Sequence, residues 1–170
     1  MSVLVIGVGS PFGDDRVGWE VVAALDAALE GAPPLAATVR TLACDRPGVA
    51  LLAALEGVRH LVIVDAVGDS GAGAGALHWL DEGRLSAAQP ASSHGVGVAH
   101  ALGLARALGL APVRVDVLAV SGERFDGDEM SEDVRAVVPV AARQVLARLR
   151  DAQASGPDTF ECVPAAPSVL

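Results

Sequence analysis

The sequence predicts an α/β fold: a three-layer α/β/α domain on a mostly parallel sheet of about five strands flanked by helices. Three observations carry this expectation. Short β-rich runs alternate with longer segments of helical periodicity, the order expected of parallel strands joined by crossover helices. The stretch "HLVIVDAV", His60 to Val67, has the continuous apolar core of a strand buried on both faces. With 170 residues, 52% of them hydrophobic, the chain can build one core without disulfides or structural metals.

The elements follow in order. Val3 to Val8 is a strand, and after a glycine-containing turn Val17 to Leu29 carries apolar residues at helical spacing. Ala37 to Ala43 reads as the second strand, Ala50 to Leu55 as a short helix, and His60 to Val67 as a central strand. The glycine-rich segment "GDSGAGAGALHWL" is a connection leading into a short strand around Ala76 to Leu80. Val96 to Leu108 is a helix ended by Gly109 and Pro112, and Val113 to Val120 is a further strand. The last helix starts at Ser131 as N-cap, with Glu132 and Asp133 in its first turn, arginines near its end and Pro139 as a candidate kink. From Ala154 to Leu170 periodicity is lost, so one domain is expected over residues 1–153 and a mobile tail over 154–170.

Composition excludes several functions. A formal net charge of -9 opposes binding to nucleic acid and to anionic membrane surfaces. All twelve basic residues are arginine, which removes Schiff-base lysines and the P-loop lysine. Cys44 and Cys162 match no zinc spacing and are expected to be free thiols in a reducing cytoplasm. The N-terminus lacks a signal-peptide pattern, and no apolar run reaches the roughly 18 residues of a membrane span.

Ligand sites in open α/β sheets form at the carboxyl ends of the strands, which selects Asp14, Asp15, Asp65 and His94. A carboxylate closing an apolar strand, as Asp65 does, is costly to desolvate without a partner or a cation. Asp15, Asp65 and His94 on one sheet edge would offer mixed oxygen and nitrogen ligands suited to Zn, Ni, Mn or Fe. Each residue also has a structural use: Asp14 is read first as a helix N-cap, Asp65 can bind loop N–H groups, and His94 can simply start a helix. His60 and His78 are read as structural or solvated and His100 as a surface residue.

Four motifs in order, "VIGVGSPFGDDRVG", "HLVIVDAV", "SSHGVGV" and "FDGDEMSEDV", give the chain a resemblance to the hydrogenase maturation endopeptidases over about Val3 to Arg150. These peptidases remove a C-terminal extension from the large subunit of nickel–iron hydrogenases. The resemblance implies that Asp15, Asp65 and His94 are the metal-binding and catalytic residues. It also implies that the nickel arrives within the substrate precursor, with no resident organic cofactor. The implied protein is a cytoplasmic endopeptidase, taken as a monomer, whose partner is that precursor. The chain departs from the family at Ser10, where asparagine is usual, and at Arg16, where a small residue is usual. It departs most at "ACDRPGV", Ala43 to Val49, where Arg46 is the expected substrate-binding residue. Two other functions stay open on the residues alone. One is a nucleotide- or dinucleotide-binding protein using "GVGSPFG", opposed by the repulsion between Asp14, Asp15 and a pyrophosphate. The other is a non-catalytic adaptor on the same precursor.

Overall fold

The computed structural model describes residues 2–45, 49–68, 71–81 and 93–154, with backbone only at 49–50, 81 and 93–99. The chain runs β1 (Val3–Val8), a 3-10 turn (Gly13–Arg16), α1 (Val17–Glu30), α2 (Pro33–Ala36), β2 (Val39–Cys44) and α3 (Val49–Ala54). It continues through β3 (His60–Val67), β4 (Leu77–Asp81), α4 (Ser93–Ala107), β5 (Arg114–Ser121) and α5 (Glu132–Ala154). Arg46, Cys162 and residues 155–170 of the expected tail lie outside the described residues.

The strands form one sheet in the order β2-β1-β3-β5-β4. β1, β2, β3 and β5 are parallel, and β4 closes the β5 edge antiparallel. β1 and β3 are buried almost throughout, as continuous apolar runs in the middle of a covered sheet must be. The alternate residues of each strand serve opposite faces. Val3, Val5, Val62, Val64, Leu118 and Val120 pack under α1 and α5. Leu4, Ile6, Leu61, Ile63, Val115 and Val117 pack under α3 and α4. α5 continues as one helix through Pro139. No helix among the described residues is long and apolar enough to cross a membrane.

At the amino end of the sheet the apolar layer is interrupted by a buried ionic cluster. Asp116 on β5 is bonded by His60 Nε2 at 2.8 Å, Arg114 Nε at 2.8 Å and Arg148 at 2.9 Å. The Arg148 guanidinium also lies 5.2 Å from the centroid of the Trp79 ring. Burial alone would raise the Asp116 pKa, but the hydrogen bonds from His60, Arg148 and Arg114 outweigh it and hold the carboxyl well below the ordinary 3.8. His60 is therefore structural, one of the two uses read from the sequence.

A carboxyl whose folded pKa is depressed stabilises the fold above its unfolded pKa, and this contribution is lost as pH falls through the folded value. Asp116→Ala should therefore lower unfolding free energy by about 3–5 kcal/mol at neutral pH, as expected when one partner of a buried ion pair is removed. Urea titration checks this, and the gap between variant and wild type should narrow on strong acidification.

Candidate functional site

β1 ends in the sequence that resembles a phosphate-binding loop, and the geometry explains its glycines differently. A Cβ on Gly9 would fall 2.0 Å from the Asp15 carbonyl oxygen. Gly13 has φ +47, and a Cβ there would fall 2.3 Å from the Arg124 carbonyl oxygen. The glycines thus let the turn fold onto the chain's own backbone, which fills space that a phosphate would need. Backbone bonds close the contact: Gly13 N–H donates to Gly127 O at 2.9 Å and Asp14 N–H to Arg124 O at 2.6 Å.

Asp14 does not cap the helix that follows it, contrary to the sequence expectation. Its side chain is 0% exposed and turns toward the loop between β5 and α5. Oδ2 accepts from the backbone N–H of Glu123 and Arg124, both at 2.9 Å, and from the Ser131 hydroxyl at 3.0 Å. Oδ1 accepts from the Ser131 backbone N–H at 2.7 Å. Burial raises the Asp14 pKa, but the backbone N–H groups of Glu123, Ser131 and Arg124 and the Ser131 hydroxyl more than offset it, so the net shift is downward. The Ser131 hydroxyl, read from the sequence as a cap on α5, is directed to Asp14.

Asp15 is carried by the same 3-10 turn, which packs directly on β3, the strand of Asp65. The two carboxylates are 7% and 6% exposed. α4 delivers the chain to the start of β5, so its first turn, with residue 94, lies at the carboxyl end of the sheet with Asp15 and Asp65. The His94 side chain lies outside what the structure describes. Among the described residues no group of three His, Cys, Asp or Glu side chains is placed to hold a metal ion. His100 is exposed, as expected.

Two further polar residues close this end of the sheet. Ser121, at the end of β5, is buried, and His78 Nε2 lies 3.2 Å from its Oγ. The sequence places His78 only in a short strand, as a structural or solvated residue, which does not reveal the face it shares with Asp65. A cavity of about 380 Å³ opens elsewhere, between α1 and the start of α5, lined by Arg16, Glu20, Met130, Arg135, Val138 and Pro139 among others. Neither Asp15 nor Asp65 lines it, so it is separate from the candidate site.

The family model described as hydrogenase maturation protease matches residues 46–148, more than half of the chain. The fold is similar to that of the hydrogenase maturating endopeptidase HybD from E. coli, with TM-score 0.77 and 27% identity over 89% of this chain and 94% of that one. It is also similar to a solution structure of an endopeptidase from Escherichia coli, with TM-score 0.75 and 28% identity over 89% and 94% of the two chains. A [NiFe] hydrogenase maturation protease, HybD from Thermococcus kodakarensis, shares the fold at TM-score 0.74 and 22% identity, over 88% and 99%. No curated protein matches the sequence.

Asp14→Asn keeps the shape of the side chain but replaces one acceptor oxygen by a donor facing N–H groups. It should cost about 3 kcal/mol of stability, the scale of losing one or two hydrogen bonds to a charged group. Because the Asp14 pKa is lowered on folding, its contribution is complete above the ordinary carboxylate pKa and lost as pH falls through the depressed value. Denaturant titrations of wild type and variant across that range check both the size and the sign.

Proposed function

The chain belongs to the hydrogenase maturation protease family, and from that premise we propose that it removes the C-terminal extension of a nickel–iron hydrogenase large-subunit precursor once nickel has been inserted. The observation that carries this reading is the pair Asp15 and Asp65, two nearly buried carboxylates on touching elements at the carboxyl end of the sheet. Carboxylates at one end of a sheet offer oxygen ligands to a metal cation. His94 belongs to the first turn of α4, the helix that leads into β5, and is proposed as the third ligand. This chemistry suits nickel, which enters as part of the substrate.

In this mechanism Asp15, Asp65 and His94 bind the nickel of the loaded precursor and so hold the adjoining peptide at the sheet edge. Positioning a scissile bond beside groups fixed on rigid elements removes much of the entropic part of the barrier. A precursor without nickel lacks the group that these ligands recognise, so cleavage would report that loading is complete. Arg46, in the loop where the sequence departs most from its relatives, is proposed to contact the precursor through its forked guanidinium. The protein is proposed to act in the cytoplasm.

Incubating the purified chain with nickel-loaded and nickel-free precursor tests the reading by mass spectrometry: loss of the extension is expected only from the loaded form. Equal cleavage of both, or of neither, contradicts it. Asp15→Asn, which keeps the size of the side chain, and His94→Ala should abolish processing, with circular dichroism and thermal unfolding checking that the fold is retained. His100→Ala should process at the wild-type rate, and Arg46→Ala should cleave more slowly.

A further inference from the structure

Strand register places a further chemical group beside the two carboxylates. Asp65 on β3 is paired with Ala119 on β5, and Ala119 is paired with His78 on β4. Residues opposite one another in neighbouring strands project from the same face, so Asp65, Ala119 and His78 form one row across the carboxyl end of the sheet. Two strand spacings of about 4.8 Å separate Asp65 from His78, and the residue between them is only a methyl group. Ser121 stands on the same face of β5, two residues nearer the carboxyl end. The contact of His78 Nε2 with Ser121 Oγ at 3.2 Å therefore draws the imidazole off the edge strand, over β5 and toward the row's centre.

We propose that the Ser121–His78 pair is the proton-accepting group of the peptidase site, a proposal that rests on the endopeptidase reading above. As a water oxygen adds to the scissile carbonyl carbon, its proton passes to Ser121 Oγ while the hydroxyl proton passes to His78 Nε2. The C–N bond then breaks with its electron pair on nitrogen, and the proton returns by the same path to the leaving amine. Serine and histidine suit this task because the hydroxyl both accepts and donates, and imidazole takes up and gives back a proton readily. Asp65 is the titratable group of β3 facing the pair. The sequence of α3 contributes none, and the described part of α4 offers only exposed His100 and Arg106. Glu123 and Arg124, in the loop after β5, are exposed.

The experiment measures kcat and KM for cleavage of nickel-loaded precursor by wild type, His78→Gln, Ser121→Ala and the double variant, with thermal unfolding of each. Both single variants should keep the wild-type midpoint within a few degrees and the wild-type KM, while kcat falls by about 10²–10⁴-fold, the usual contribution of a positioned acid–base group. The double variant should be no slower than either single one, since the two residues act as one unit. Wild-type kcat in folded His78→Gln overturns the proton-transfer role and leaves the endopeptidase reading standing. Absence of cleavage by wild type itself overturns that reading, and this proposal with it.

Discussion

The arrangement of the carboxyl end of the sheet depends on one buried carboxylate. Asp14 accepts hydrogen bonds from Glu123, Arg124 and both donors of Ser131, and so ties the turn after β1 to a loop more than a hundred residues later. The charge survives burial because N–H and O–H dipoles replace the lost water. With the loop fixed, the 3-10 turn has no freedom to swing away from β3, and the neighbouring Asp15 is held next to the strand of Asp65. Adjacent aspartates thus differ: Asp14 is internal and structural, and Asp15 is the one proposed for the candidate site.

The two ends of the sheet treat charge in opposite ways. At the amino end Asp116 is surrounded by His60, Arg114 and Arg148, so its charge is matched within the protein. At the carboxyl end the partners of Asp14 are neutral dipoles, and two more buried acids, Asp15 and Asp65, lie at that end of the sheet. An acidic site at the end where open α/β sheets bind ligands is consistent with a substrate that carries a metal cation.

Much of the fold was legible because the strongest sequence signals are local. The apolar runs of β1, β3 and β5 and the periodicity of α1 and α5 depend on near neighbours, and their observed bounds follow the expectation closely. The direction of β4 depends on pairing with β5, which no local pattern encodes. The same limit explains the site. Asp15 and Asp65 stood out as acids at strand ends, whereas the role of Asp14 depends on partners 109 to 117 residues away. The glycines two apart at Gly7 and Gly9 look like those of a phosphate loop, and the close approach of the Asp15 carbonyl to Gly9 shows their other use. His78 gained meaning from register: a one-residue slip of β4 would have put it on the opposite face.

The central claim is that the protein recognises nickel carried by its substrate through Asp15, Asp65 and His94. Nickel K-edge absorption of the loaded precursor, alone and in a freeze-quenched complex with the protein, measures this directly. The account predicts that complex formation adds oxygen and nitrogen neighbours to the nickel, and that the added nitrogen disappears with His94→Ala. A nickel coordination shell unchanged on binding would contradict it.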